Sequence, residues 1–221
     1  VAWVVENMYL NVFIYKMFNA SAEAISTMVA ASAVMATVTT LLIGALSDKI
    51  GKRKLFICGG YVLWGISILC FALIRMDVIS AIFPATVSAA TVGVTLTILV
   101  DCVMTFFGSS ANDAAFNAWV TDNTESSYRG RVESVLSILP LIAMLIVAGG
   151  FGILKDLIGF RALFIGLGAV ISLCGVLGFF LFKDAQKLEK LTREFVALPV
   201  LNITRPSSHQ TGGAVDLTLM K

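Results

Sequence analysis

Residues 44–54 have the sequence GALSDKIGKRK, and the rest of the chain is organised around them. Four of these eleven residues are basic, and an apolar stretch long enough to cross a bilayer lies on each side. Basic loops between membrane-spanning helices face the cytoplasm, because positive charge resists transfer to the outer face. The segment is therefore predicted to be a short cytoplasmic loop that sets the orientation of the flanking helices.

The composition places the chain in a membrane. Of its 221 residues 58% are hydrophobic and 14% are charged, and the mean hydropathy is +0.91. A soluble domain of this size cannot hide so much apolar surface. The net charge of +2 is too small to indicate a nucleic-acid partner. The four cysteines lie singly in apolar stretches, so neither a disulfide framework nor a metal site is expected.

Six apolar segments have the length of a transmembrane helix, which needs roughly 20 residues. They lie near residues 1–18, 24–46, 55–75, 91–120, 133–154 and 162–182. Backbone amides in lipid must be hydrogen-bonded within the protein, and no segment alternates like a barrel strand. The prediction is an all-α membrane protein with six transmembrane helices in residues 1–182. Residues 78–120 would also fit two spans with a turn at 108–110. One long helix is preferred, because two spans would move Arg129, Arg131 and the basic tail to the outer side.

The distribution of basic residues agrees with this orientation. With the 47–54 loop inside, ten lysines and arginines lie on the cytoplasmic side and four on the outer side. The charged and then irregular residues 183–221 are predicted to form a cytoplasmic linker or tail. The protein is thus expected to be a multi-pass protein of the cell membrane, in contact with lipid.

An internal repeat supports the same topology. Residues 44–60, GALSDKIGKRKLFICGG, align without gaps to residues 152–168, GILKDLIGFRALFIGLG, with ten identities in seventeen positions. One copy joins the second and third spans and the other joins the fifth and sixth, on opposite faces of the membrane. This pattern predicts two three-helix repeats of inverted orientation. The offset of 108 residues also predicts that the first helix begins about ten residues before Val1, which suggests an N-terminal truncation.

Polar residues inside the spans are candidates for function, because burying them in lipid is costly. In the first span, Glu6 lies near mid-membrane, and Asn7 and Asn11 share one helical face at a spacing of four. These residues predict either a wet cavity or hydrogen bonds to a neighbouring helix.

The fourth span carries a second polar face, made by Asp113 and Asn117. Asp113 is predicted to accept a hydrogen bond from a solute or to bind a coupling ion, either as a carboxyl group that takes up a proton or as a ligand of sodium. Asp101 lies nearer the outer end of the same span and is expected to be solvated.

The pattern G-x-L-x-D-x-x-G-x-[KR]-[KR] in residues 44–54 resembles the signature between the second and third helices of the major facilitator superfamily of solute transporters. Residues 122–131, with D-x-x-E followed by R-G-R, resemble its loop between helices four and five. The resemblance implies that charged residues of these loops form a gate, closed by ion pairs that break when the gate opens. The gating residues so implied are Gly44, Asp48, Gly51, Arg53, Asp122, Arg129 and Arg131.

By this resemblance the chain is half of a major-facilitator fold, with a missing second six-helix half or a homodimer partner. It implies secondary active transport of a small polar solute, sugar-like or another organic molecule, by symport with H⁺ or Na⁺, and neither catalysis nor a cofactor. A faint similarity to cation-coupled glycoside carriers stops at the second span, where residues 33–38 show no paired aspartates. Drug/proton efflux antiport and a non-transporting membrane scaffold stand as the alternative functions.

Overall fold

The computed structural model describes residues 2–83, 88–124 and 127–182, with the side chains of Ala2 and Glu6 left out. The predicted tail at 183–221 lies outside these residues. The described chain is helical with short connections and contains no strand in these ranges. The prediction of an all-α protein is confirmed.

The helices follow the predicted spans closely. Helix α1 comprises Ala2–Val5, Glu6–Leu10 and Asn11–Phe18 in one continuous run, and it is followed by α2 (Ala22–Ile50), α3 (Arg53–Phe71), the short α4 (Met76–Ile82) and α5 (Ala89–Asn123). The last helical stretch, Arg129–Leu181, has non-helical dihedral angles at Gly159, which divides it into α6 (residues 129–158) and α7 (160–181).

Four stretches are long and apolar enough to cross a membrane: Ala22–Ile50, Arg53–Phe71, Ala89–Asn123 and Arg129–Leu181. The last holds 53 residues, or about 80 Å of helix, which is more than twice the thickness of the hydrocarbon core and so supplies two spans. Helix α1 has a length at the lower end of the spanning range. Helices thus lie at all six predicted places, and α5 forms the single long helix that the charge bias favoured.

Two glycines mark equivalent breaks in the repeat. Gly51 ends α2 with φ 70° and ψ 3°, and Gly159 separates α6 from α7 with φ 77° and ψ 166°. They are 108 residues apart and are the glycines with positive φ among the described residues. A left-handed residue terminates a helix at little cost only when it lacks a Cβ atom. The repeat seen in the sequence thus corresponds to a repeated backbone feature.

Gly51→Ala and Gly159→Ala are each expected to lower the free energy of unfolding by about 1–3 kcal/mol, because a Cβ atom disfavours both backbone conformations. Gly44→Ala is the matched control: Gly44 lies within α2, and a Cβ atom added there meets nothing within 4 Å. Unfolding of the purified protein in detergent, followed by tryptophan fluorescence, measures all three. Equal stability of Gly44→Ala and Gly159→Ala would contradict the expectation.

Helices α3 and α7 form the closest contact in the bundle, and they run antiparallel. A Cβ atom built on Gly175 would lie 2.7 Å from the backbone nitrogen of Val62, and one built on Gly168 would lie 2.6 Å from the carbonyl oxygen of Gly65. Higher residue numbers on α3 therefore face lower numbers on α7. Glycines let two helix backbones approach in this way, and dispersion contacts along such a seam drive association in lipid.

Two further helix contacts agree with the symmetry that an inverted repeat requires. Helix α1 packs on α6, where the Tyr9 hydroxyl donates a hydrogen bond of 3.3 Å to the carbonyl oxygen of Val147. Helix α2 packs on α5. If α1 corresponds to α5 and α2 to α6, these two contacts are equivalent. Thr39 and Val147, which are 108 residues apart, are accordingly both buried, at 1% and 0% exposure.

Aromatic rings fix α1 against the α3–α7 pair. Phe13 makes edge-to-face contacts with Phe71, Phe160 and Phe164, with ring centroids 5.2–6.4 Å apart. Such pairs add about 0.5–1.5 kcal/mol each to the burial of the rings. The cluster holds α1 in place, and the polar residues of α1 are thereby held on the other side of the bundle's core.

Candidate functional site

A cavity of about 250 Å³ lies between α1, α2, α3 and α5. Its walls hold two carboxyl groups and three amides but, among the described residues that line it, no lysine, arginine or histidine. The lining residues that carry polar groups are Trp3, Asn7, Asn11, Ser32, Trp64, Asp101, Thr105, Ser109, Asn112 and Asp113. The cavity therefore offers hydrogen-bond donors and acceptors from its amides and two carboxyl groups, with no basic side chain among its described lining.

Asn7 and Asn11 of α1 both line the cavity, as their spacing predicted. Each side-chain amide donates a hydrogen bond to a carbonyl four residues back, Asn7 to Trp3 at 2.8 Å and Asn11 to Asn7 at 3.0 Å. These bonds hold both side chains along the helix axis beside the cavity. The side chain of Glu6, the third residue predicted on this face, lies outside the described part of the chain.

Asp113 of α5 lines the cavity and belongs to a short chain of hydrogen bonds. Asn112 donates a hydrogen bond of 3.0 Å to Oδ1 of Asp113, and the Tyr61 hydroxyl of α3 donates one of 3.4 Å to Oδ1 of Asn112. Asn117 donates to the backbone carbonyl of Asp113 at 3.2 Å, but it is exposed and is not among the residues that line the cavity. Asp113 and Asn117 therefore share a helix face without sharing the site.

The side-chain amides that α1 and α5 contribute to the cavity lie in or next to π-helical segments. Glu6–Leu10 of α1 and Ser110–Phe116 of α5 have this wider geometry. A π-bulge frees backbone groups and re-aims side chains, and such bulges are frequent at functional sites. Adding the offset of 108 to the first segment gives residues 114–118, which overlap the second. The first helix of each repeat is thus distorted at nearly the same place, whereas the π-helical segment Val147–Phe151 of α6 has no counterpart in α2.

The position of Asp101 differs from the one expected from the sequence. It was expected to be solvated near the outer end of its span, but it is 3% exposed and lines the cavity. Oγ of Ser32, on α2, lies within hydrogen-bond distance of its carboxyl group. The expectation failed because it considered α5 by itself, whereas α2 covers this side of α5 along its length.

Sequence reasoning also missed Ser32 and Trp64. Ser32 shares a helix face with Met28 and Ala36 at a spacing of four, and this periodicity is the signal that could have placed it on the cavity wall. Trp64 is 6% exposed and packs against Gly108, and its Nε1 has no hydrogen-bond partner among the described residues. A buried indole N–H usually finds a partner, so Trp64 is a donor available beside the cavity.

The predicted gate residues meet at the start of α3. The guanidinium group of Arg53 binds Asp48 at 2.9 Å and Asp122 at 2.7 Å. Because Asp48 belongs to α2 and Asp122 to α5, Arg53 ties three helices together. Gly51 provides the turn between α2 and α3 that lets Arg53 fold back on Asp48.

The other predicted gate residues have different neighbours in the described part of the chain. Arg129 donates a hydrogen bond of 3.3 Å to the carbonyl oxygen of Thr121, and the guanidinium of Arg131 lies 5.8 Å from the ring centroid of Tyr128. Gly44 lies within α2 with space around it. The structure thus brings together Asp48, Arg53 and Asp122.

Double-mutant cycles test which of the two ion pairs of Arg53 contributes more to stability. Arg53→Ala with Asp122→Ala is expected to give a coupling energy of about 0.5–3 kcal/mol in unfolding experiments, since the two side chains are only 19% and 35% exposed. The cycle with Asp48→Ala is expected to give about 0.2–1 kcal/mol, since Asp48 is 63% exposed. Equal couplings, or a larger one for Asp48, would show that this difference in burial does not govern the cluster.

Comparison with known families identifies one match along nearly the whole chain: the family model described as Major Facilitator Superfamily matches residues 2–211. Searches of curated proteins and of solved structures find no match.

Proposed function

The chain belongs to the major facilitator superfamily, a family of membrane transporters, and from that premise we propose that it moves a small polar solute across the cell membrane by alternating access, in proton- or cation-coupled symport. Membership makes the chain an integral membrane protein of a transporter family, and the mode of coupling and the solute are the proposal. The observation that carries the proposal is the cavity with its two carboxyl groups.

The position of the carboxyl groups supports a role in transport. Asp101 is 12 residues from the start of α5 at Ala89, and Asp113 is 10 residues from its end at Asn123, so each lies about 15–18 Å inside the helix. A carboxyl group within the hydrocarbon region of a bilayer costs several kcal/mol. Two such groups around one cavity are best explained by a passage for solute and coupling ion.

The lining residues indicate the class of solute. Amides offer both donors and acceptors, Trp64 offers a donor, and Asp113 offers an acceptor, which together suit a molecule rich in hydroxyl groups. The cavity volume is just below the range of about 300–1,000 Å³ that is usual for drug-sized ligands. We therefore assign a small, sugar-like or similarly polar organic solute to the site, bound by Glu6, Asn7, Asn11 and Asp113.

Two further parts of the proposal concern the gate and the assembly. The Arg53 cluster supports a gate, placed on the cytoplasmic side together with the 47–54 loop, because ion pairs that hold three helices can form in one state and break in the other. The partner is a second six-helix unit or a second copy of the chain, since no described residue of α6 or α7 lines the cavity and Trp3 at its edge is 60% exposed.

Solute-dependent proton movement tests the function. Cells that express the chain are suspended without an energy source in weakly buffered medium, and monosaccharides, disaccharides, polyols and amino acids are added one at a time while the external pH is recorded. Symport with protons predicts that one solute class makes the medium alkaline. Symport with sodium predicts uptake of ²²Na⁺ with that solute instead. Acidification by the entering solute would indicate antiport, and no response from membrane-inserted protein would contradict transport of these solutes.

A further inference from the structure

Asp101 and Ser32 form a pair that the proposed solute site does not use. Asp101 is on α5 and Ser32 on α2, so the contact joins the two three-helix repeats. Oγ of Ser32 lies within hydrogen-bond distance of two oxygens, Oδ2 of Asp101 and the carbonyl oxygen of Met28, the latter at 3.0 Å. Asp101 is almost fully buried, whereas Asp113 is exposed along the same cavity.

The hydrogen bonds that Ser32 can make depend on whether the carboxyl group of Asp101 is protonated. A serine hydroxyl has one proton and can fully satisfy only one of these two acceptors. If Asp101 is protonated, its O–H donates to Ser32 and Ser32 donates to the carbonyl of Met28, so every contact has a donor. If Asp101 is ionised, Ser32 must turn towards the carboxylate and release that carbonyl. The two oxygens around Ser32 thus accommodate a proton without any rearrangement of the backbone.

The surroundings of Asp101 contain no compensating charge among the described residues. From α2 it is contacted by Ser32, and the other α2 residues on the cavity wall are Met28, Val29, Ala33 and Ala36; from α3 the wall contributes Trp64. From α1 the cavity wall contributes Asn7 and Asn11, with the side chain of Glu6 undescribed. The titratable groups nearby on α5 are the adjacent Cys102 and, three turns on, Asp113, and Tyr61 of α3 is linked to Asp113 through Asn112. None of these described groups is cationic.

A metal cation fits this place less well than a proton. Hard cations take about six or more oxygen ligands. On the cavity wall, α2 contributes one hydroxyl, that of Ser32, among the apolar residues Met28, Val29, Ala33 and Ala36. A buried carboxyl group beside a serine hydroxyl, with no cation among the described residues around it, is neutralised most simply by a proton.

We propose that Asp101 is the proton-binding site of this transporter, that Ser32 is its hydrogen-bond partner in both protonation states, and that Asp113 is left to the solute. The inference deepens the proposed function and rests on it for the role in transport. The step is a simple proton transfer, in which the carboxylate takes a proton from water on one side of the membrane and returns it to water on the other. Because the bond to Ser32 spans two helices from different repeats, its change with protonation acts on their contact.

Carbodiimide labelling tests the site without any solute. Dicyclohexylcarbodiimide reacts with protonated carboxyl groups in apolar surroundings, and mass spectrometry of the labelled 221-residue protein locates the adduct. We expect an adduct on Asp101 whose amount falls about tenfold for each pH unit above its midpoint. It persists in Asp113→Asn and vanishes in Asp101→Asn. Asp77, which is exposed and bound to Arg75, stays unlabelled. No adduct on Asp101 at any pH in the folded protein, or the same amount at every pH, would overturn the proposal.

Two further measurements examine the partner and the role in transport. Ser32→Ala is expected to move the pH midpoint of labelling and Ser32→Thr to restore it, and an unchanged midpoint in Ser32→Ala would remove Ser32 from the site. With the solute identified by the pH recordings, Asp101→Asn is expected to abolish alkalinisation, and retained alkalinisation would overturn the proton role. If the unaltered chain moves no solute, the function fails in that experiment, while the labelling result still decides whether Asp101 binds a proton.

Discussion

Gly168→Ala is expected to lower the free energy of unfolding by about 1–3 kcal/mol, although alanine normally favours a helix over glycine. The added Cβ atom would lie 2.6 Å from the carbonyl oxygen of Gly65 and 2.9 Å from Cγ of Leu69. The first of these contacts is with backbone, which cannot rotate away. The helices α3 and α7 must therefore separate, and the dispersion contacts along their seam weaken together.

Gly166→Ala provides a control two residues away on the same helix. Nothing lies within 4 Å of a Cβ atom at that position, so this change is expected to be neutral or to stabilise by up to about 1 kcal/mol. Thermal unfolding of both variants in the same detergent separates steric conflict from helix propensity. If Gly168→Ala proved as stable as Gly166→Ala, α3 and α7 would not pack through their glycines as described.

Asp113→Asn is expected to raise the solute concentration for half-maximal alkalinisation by about 10- to 100-fold, the loss that corresponds to one hydrogen bond to a charged group. The reason is that Asp113 faces the cavity beside the amide of Asn112, and its proposed partner is a hydroxyl group of the solute. Asparagine keeps the size of the side chain but removes the charge. The maximal response and its dependence on pH are expected to remain, because the proton is assigned to Asp101.

Asp77→Asn is the control for this experiment, since it removes a carboxylate that is exposed and paired with Arg75 outside the cavity. It is expected to leave the half-maximal concentration unchanged. The unfolding temperature of both variants shows whether the fold is preserved. An unchanged half-maximal concentration in well-folded Asp113→Asn would remove Asp113 from the solute site.

The helices were largely predictable because the membrane imposes a length and a composition on each span. Even the single long helix α5 followed from the charge bias around it. The two breaks at Gly51 and Gly159 were visible as aligned glycines, since a residue without Cβ suits a left-handed turn at both places. The face formed by Asn7 and Asn11 followed from their spacing.

What the sequence could not supply was the contact between helices distant in the chain. Asp101 and Ser32 are 69 residues apart, and only packing of α2 on α5 shows that they meet. The same packing leaves Asn117 outside the cavity although it shares a helix face with Asp113. The π-helical segments also escaped prediction, because their backbone geometry depends on neighbouring helices and leaves no mark in hydropathy.

The gate and the cavity are connected through the same helices. Arg53 binds the ends of α2 and α5, and Ser32 and Asp101 join the same two helices within the membrane. A change in protonation at Asp101 therefore acts on the pair of helices that Arg53 clamps. This arrangement gives a physical route by which a bound proton influences the proposed gate.

Accessibility of two cysteines tests the inverted repeat most directly. In a background with Cys58, Cys70, Cys102 and Cys174 replaced by serine, Lys52→Cys and Asp156→Cys introduce a thiol near the equivalent breaks at Gly51 and Gly159. A membrane-impermeant maleimide is expected to label Asp156→Cys in intact cells and Lys52→Cys only in inside-out vesicles. Labelling of both from the same side would contradict two repeats of opposite orientation and, with them, the transport mechanism proposed for the cavity.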